Sequence, residues 1–347
     1  MIKSLKKAGH NLIKLKCSKE GSILILPYGG RVLGLYAEND GDNFFWVNPK
    51  FYDYKQTEEF FGMTRWKNLG GDRTWVGPET EFFIKDLSDV WNTYEVPPEV
   101  DPGNYSIEKS SSMVKMRNKG RVFSYMKNKK YEFEIEKTIQ PAANPLNYGK
   151  NMKNLTKQLK YAGYEQTTRL KLLTDSKYKL DIWNLIQIPI GGKIIIPVVN
   201  NIKPVIYFRF TDISKLISVY PKEIHLFLDG KTMYKIGLLP LSVTGRMDYV
   251  RKVKNDIWTL VVRNFFVNPS AEYIDVPVDN LKGPGCAIQC YNNYVEAEKF
   301  GELEYHTPAV YHNHSYVDKS QVWAFKGSKS GINKVCKLLL GNEEAVR

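Results

Sequence analysis

The sequence predicts an all-β protein built of antiparallel sheets, and three observations carry the prediction. Short apolar or alternating runs recur along the 347-residue chain, each closed by glycine, proline or asparagine. Tyrosine (22) and phenylalanine (16) are abundant and suit a pleated, half-buried surface. Helical patterns are few. Strands of one style resume after every interruption, so a single domain over 1–347 is expected, although the length would admit two.

In chain order, residues 11–17 alternate in polarity. Residues 22–26 form an apolar run stopped by Pro27 and Gly29-Gly30, and 31–36 resume it as strand, glycine turn, strand. Residues 44–47 are apolar, and 51–63 read as a polar, aromatic-rich loop. The 106–140 stretch reads as strands turning at 118–120 and 127–129. Within it Tyr131, Phe133 and Ile135 alternate with three glutamates, so the acids should face outward. Residues 141–158 read as a long loop. Residues 180–189, Gly191-Gly192 and 193–197 resemble a hairpin. Residues 211–219 are a helix candidate, with Asp212 as cap and Ile213, Leu216 and Ile217 on one face. Further strands are expected at 224–227, 232–237, 256–266, 273–278, 285–291 and 321–326.

The formal charge is +13, with 50 Lys and Arg against 37 Asp and Glu. The lysines are spread along the chain without an arginine-rich arm or a nucleic-acid motif, which reads as a solvated surface and no nucleic-acid partner. No run of 18 apolar residues occurs, so no membrane partner is expected. Cys17, Cys286, Cys290 and Cys336 form no C-x-x-C pair and read as free thiols of a reducing compartment. A cytoplasmic location follows as the sequence stands, and a periplasmic or secreted one if a leader was removed. No P-loop, G-x-G-x-x-G or G-x-S-x-G motif appears, and no cofactor is expected.

Two stretches carry chemistry. In Gly301-Glu302-Leu303-Glu304-Tyr305-His306, read as a strand, Glu302, Glu304 and His306 share one face. Two carboxylates and an imidazole in a row suit a polar cleft, with a solvated strand face as the alternative. In Leu69-Gly70-Gly71-Asp72-Arg73-Thr74-Trp75-Val76-Gly77-Pro78-Glu79, glycines and a proline enclose Asp72, Arg73, Trp75 and Glu79. Glycine lets backbone approach a ligand, tryptophan offers a flat apolar face, and the charged groups give directional hydrogen bonds. That mix suits a sugar, with an ion-paired turn as the alternative. His312 and His314 with His306 could in principle ligate a metal, but they follow Pro308 on an expected loop, and no metal site is expected.

These motifs, with residues 27–35, Asp181-Ile182-Trp183, Ile195-Ile196-Pro197 and Gln289-Cys290-Tyr291-Asn292-Asn293, resemble the galactose-mutarotase-like (aldose 1-epimerase-like) superfamily, specifically an uncharacterised bacterial branch. The resemblance spans nearly the whole chain. It implies a β-supersandwich of large antiparallel sheets with an open carbohydrate cleft. In mutarotases a late-strand glutamate takes the anomeric proton and a histidine protonates the ring oxygen; the ring opens and closes on the other face. Glu304 matches the glutamate, with Glu302 second, and Arg73 matches an arginine that holds sugar oxygens. The family's histidine before the glycine pair is Leu69 here, and none stands near Trp183, so the resemblance assigns no acid; Lys235 and His306 are candidates that no motif matches.

The expected function is therefore a sugar epimerase with Glu304 as base. Asp72 and Arg73 would hold hydroxyls or an acidic group, and Trp75 or Trp183 would stack on the ring, with Glu79, Lys235, Asn292 and His306 completing the site. The partner is a carbohydrate or sugar derivative, an anionic one included. A non-catalytic carbohydrate-binding protein is the alternative. A glycoside hydrolase or lyase ranks third: Glu302 and Glu304 stand ~6.7 Å apart along a strand, within the span of inverting enzymes, but on one wall. Arg73 is expected opposite Glu304, and burial with like charge should raise the pKa of at least one glutamate in the row.

Overall fold

A computed structural model describes residues 1–39, 41–148, 152–174, 177, 179–199, 202–311 and 314–341. Two antiparallel sheets face each other. One has nine strands, in the spatial order Ile13–Lys16, Ser22–Leu26, Arg31–Tyr36, Asp72–Gly77, Asp181–Pro189, Phe300–His306, Ile288–Asn292, Tyr234–Leu238 and Val205–Arg209. The other has ten, with Arg246–Lys254, Ile257–Asn264, Ser315–Ser328, Lys160–Leu172 and Lys129–Pro141 running through its middle. The main core lies between them. Ile186, Ile236 and Leu303 of the first sheet pack against Ala162, Val261 and Ala324 of the second. Each fully buried aliphatic side chain of this kind contributes about 1.5–3 kcal/mol.

The alternating 131–136 segment behaves as its pattern requires. Tyr131, Phe133 and Ile135 are buried, while Glu132, Glu134 and Glu136 reach the surface. The Gly29-Gly30 turn also forms, with both glycines at positive φ.

Several local expectations fail for identifiable reasons. Residues 51–63 are not a loop. Asn48 and Asp53 each accept a backbone N–H and so start a 3₁₀ turn, Pro49–Tyr52, and a helix, Tyr54–Gly62. The 211–219 helix does not form. Asp212 accepts from Ser214 in a local turn, and Ile217–Val219 then pairs as a strand with Glu223–Phe227. Residues 118–120 lie inside the Val114–Ser124 strand, where the buried Asn118 amide binds the carbonyl of Glu99 and the N–H of Asn104. Residues 273–278 form no strand; Asp275 is pinned there by its contacts to Glu79, Gln289 and Tyr207. Gly191-Gly192 is not a hairpin tip but the crossing from one sheet to the other. A C-terminal helix, Lys329–Leu340, covers the outer face of the ten-stranded sheet with Ile332, Val335 and Cys336. Among the described residues no helix is long and apolar enough to cross a membrane.

Candidate functional site

Five neighbouring strands of the nine-stranded sheet, Asp72–Gly77, Asp181–Pro189, Phe300–His306, Ile288–Asn292 and Tyr234–Leu238, form the floor of a cleft. Their register sets the floor out in three cross-strand rows. Gln187, Glu302, Tyr291 and Lys235 make one row. Arg73, Leu185, Glu304 and Gln289 make the next, and Trp75, Trp183 and His306 the third. All of these side chains fall on one face because strand parity alternates by residue. The cleft holds ≈ 410 Å³, and its walls include Trp66, Trp91, Tyr94, Tyr207 and Phe208. The segment after Gly77 supplies one wall: Phe83 packs on Trp75 and Trp183, with ring centroids 5.1 and 5.5 Å away.

The polar floor is tightly paired. Glu302 Oε1 accepts from Arg73 Nη2 and from Gln187 Nε2, both at 2.8 Å. The Arg73 guanidinium lies 4.3 Å from the centre of the Trp75 ring, a cation–π distance. Lys235 Nζ stands 2.9 Å from Glu79 Oε2 and 3.3 Å from Glu304 Oε2. The Trp183 indole N–H donates to Glu304 Oε2 at 2.8 Å. Glu304 has no exposed surface, and its Oε1 has no hydrogen-bond partner among the described residues. Burial pushes the Glu304 carboxyl up to about 7; the Lys235 charge opposes the shift, and Glu302 and Glu79 add to it.

The cation beside Glu304 is thus Lys235 and not Arg73, which pairs with Glu302 one row away. Burial acts to lower the pKa of Lys235, but Glu304, Glu79 and Asp275 outweigh it and hold the ammonium charged.

His306 shares the strand face of Glu302 and Glu304 but is fully buried and does not line the cleft. Its ring stacks on Trp183 at 5.3 Å, its Nδ1 meets Asp181 Oδ2 at 3.1 Å, and its Nε2 lies 3.8 Å from Asp275 Oδ2. Burial would lower its pKa, and Asp181 and Asp275 more than reverse that, so it is raised above the ordinary imidazole value. Of the other histidines weighed for metal, His314 is exposed and His312 lies outside the described residues.

Two expected substrate-binding residues face away from the cleft. Asp72 precedes Arg73 on its strand, so it points between the sheets. There it pairs with Arg263 of the opposite sheet at 2.8 Å, both fully buried, and accepts from the Tyr164 hydroxyl. Asn292 follows Tyr291 and is likewise turned inward; its amide donates to Asp229 Oδ1 and to the carbonyl of Thr232, both at 2.8 Å.

Other residues of the site escaped the sequence reading. Gln187 lies four residues beyond Trp183, so strand parity alone puts both on one face. Asp275 carried no signal. It joins the wall to the floor from outside any strand: Oδ1 accepts from the N–H of Glu79 at 2.6 Å and Oδ2 from Gln289 at 2.5 Å.

Comparison with known proteins gives a family and a fold. The profile of a family of unknown function (DUF6786) matches residues 1–344. A galactose mutarotase-like protein from Lactobacillus casei ATCC 334 superposes with a TM-score of 0.50 at 10% identity, over 90% of this chain and 100% of that one. A candidate aldose 1-epimerase from Escherichia coli K12 gives 0.55 at 9% identity, over 91% of this chain and 99% of that one. At such identities the likeness is one of fold: the chain has the galactose mutarotase-like β-sandwich. A search of the curated proteins finds no match.

Proposed function

The chain belongs to the DUF6786 family, a family of unknown function, and from that premise we propose that it is a carbohydrate-active protein of the epimerase type, with Glu304 as general base. One observation carries the reading. An aromatic-walled cleft ends on a carboxylate that is buried, keeps one oxygen without a hydrogen-bond partner among the described residues and is pushed by burial up to about 7. A general base works best when its pKa lies near the working pH. A pyranose offers apolar C–H faces to the walls at Trp66, Tyr94 and Phe208 and hydroxyls to Glu302, Gln187 and Glu79. Trp75 and Trp183 are buried, with Arg73 over the one ring and His306 and Lys235 over the other, and do not stack on it.

The charges support a neutral sugar over an anionic one. Glu79, Glu298, Glu302 and Glu304 line the cleft against Arg73 and Lys235, an excess of two negative charges when all are ionised. In the epimerase reading Glu304 takes the proton of the anomeric hydroxyl as the ring C–O bond breaks. The ring oxygen receives a proton, and closure on the other carbonyl face completes the exchange.

A second reading, a carbohydrate-binding protein without turnover, is favoured by the surroundings of the acid candidates. Lys235 is held charged between two carboxylates, which makes it a poor proton donor. His306 is fully buried and does not line the cleft. The hydrolase reading has weaker support, because Glu302 and Glu304 stand on neighbouring rows of one wall.

Saturation-transfer NMR of anomer exchange on glucose and galactose separates these readings. The epimerase reading expects exchange above background in the native chain and none in Glu304→Gln, with sugar still bound. Binding without exchange in the native chain leaves the binding reading. No binding by any of a broad panel of sugars sinks both.

A further inference from the structure

We propose that the cleft continues outward as an aromatic track on which Trp91 and Phe210 hold a second sugar ring, so that the ligand is an oligosaccharide or a glycan end rather than a free monosaccharide. The inference rests on the carbohydrate reading above and extends it to the size of the ligand.

The track is a continuous series of ring contacts. Phe300 meets Tyr291 at 5.9 Å, and Tyr291 meets Phe208 at 5.9 Å. Phe208 meets Trp91 at 5.0 Å, and Trp91 meets Phe210 at 5.0 Å. Exposure rises along it: Phe300 is 6% exposed, Trp91 54% and Phe210 55%. Two large aromatic rings left half in water and touching each other are uncommon on a surface without a binding role. These two adjoin the mouth of the cleft, and Trp91 itself lines it.

The division of chemistry along the track points the same way. The paired carboxylates and cations lie on the inner floor, at Glu304, Glu302, Arg73 and Lys235. The outer end offers flat apolar faces. One sugar ring therefore meets directional groups, and the next ring meets surfaces that suit any pyranose face. The platform is also held in place before a ligand arrives. The Thr93 hydroxyl donates to the carbonyl of Asp89 at 2.7 Å and accepts from the N–H of Asp86 at 3.1 Å, and the N–H of Glu95 donates to the carbonyl of Phe83 at 2.7 Å. These bonds fix the short helix Val90–Thr93 that carries Trp91. A rigid aromatic surface costs little ordering on binding.

The test is calorimetric titration of the full chain with glucose, galactose and N-acetylglucosamine, and with di- and trisaccharides built from them. At least one disaccharide should bind roughly three- to tenfold more tightly than its terminal monosaccharide, the gain that one well-placed aromatic contact supplies. In Trp91→Ala, and separately in Phe210→Ala, that ratio should fall towards one; thermal melts check that each variant folds. A monosaccharide that binds as tightly as every longer sugar overturns the track and leaves the carbohydrate reading standing. Binding of no sugar at all overturns both. An unchanged ratio in both variants, with a shift in oligomeric state, reassigns the patch to contact between copies of the chain.

Discussion

Glu304 shows how one residue can be tuned by opposing neighbours. Burial favours its protonated form, and Lys235 at 3.3 Å favours the carboxylate. With its pKa near 7, a base reaction should accelerate as pH rises through about 7 and level off above it. Stability should move the other way. A carboxyl raised from 4.5 to about 7 on folding contributes stability that is complete below pH 4.5 and is lost as pH rises through about 7. In Glu304→Gln the exchange should stay at background at every pH, and the loss of melting temperature over that window should shrink. A native rate profile without an inflection near neutrality would count against Glu304 as base. Arg73 makes a different prediction. Truncating one member of a buried ion pair costs about 3–5 kcal/mol, because the other charge is stranded. Glu302 keeps Gln187 and faces the cleft, so Arg73→Ala should cost about 3 kcal/mol, the lower end of that range. Denaturant melts should show Arg73→Ala with Glu302→Gln to be less destabilised than Arg73→Ala alone; equal losses would mean that the pair is not coupled. Strand parity made Glu302, Glu304 and His306 legible as one face, whereas Arg73, Trp75 and Trp183 were reached by composition and resemblance. The same rule excludes Asp72 and Asn292, since neighbours on a strand face opposite ways, and the sequence reading had grouped them by composition instead. The acid–cation pairing was not legible, because it depends on which strands lie side by side.

At the scale of elements, the glycine pair before Arg73 sets how the floor begins. Gly70 and Gly71 both have positive φ, at 89° and 78°. A Cβ on Gly71 would lie 2.4 Å from the carbonyl oxygen of Val32, which is backbone and cannot rotate away. Gly71→Ala should therefore destabilise by more than the ~1–2 kcal/mol of left-handed strain alone. Gly62 closes the Tyr54–Gly62 helix, and a Cβ there meets nothing within 4 Å. Gly62→Ala should be neutral or stabilise by up to ~1 kcal/mol. Urea melts of the two variants should fall on opposite sides of the native chain or bracket it; a harmless Gly71→Ala would show that the turn has another accessible geometry. Strands were legible wherever a glycine turn or a clean alternation bounded them. The misreadings came where a side chain competes with the pattern. Asn48 and Asp53 cap turns that polar composition disguised as a loop. Asp212 spends its carboxylate on Ser214, and the helix is lost. Gly191-Gly192 joins two real strands, but local sequence does not say that they enter different sheets.

The topology of the whole molecule ties the ends of the chain together. The Asp181–Pro189 strand lies between Asp72–Gly77 and Phe300–His306, so the floor of the cleft draws on three distant parts of the sequence. In the second sheet Ser315–Ser328 lies between Ile257–Asn264 and Lys160–Leu172. A cut near residue 141 would leave each fragment with unpaired strand edges and half of the core between the sheets. Unpaired edges and exposed apolar faces favour aggregation over independent folding. The Arg263–Asp72 pair strengthens the coupling, because it joins the two sheets through fully buried charges. We therefore expect the chain to behave as one domain. Calorimetry should give one transition whose van't Hoff and calorimetric enthalpies agree, and limited proteolysis should release no pair of stable halves. Asp72→Asn should lower that single transition without splitting it. The appearance of two separate transitions, in the native chain or in this variant, would mean that the sheets fold as independent units and that the cleft is assembled only by their docking.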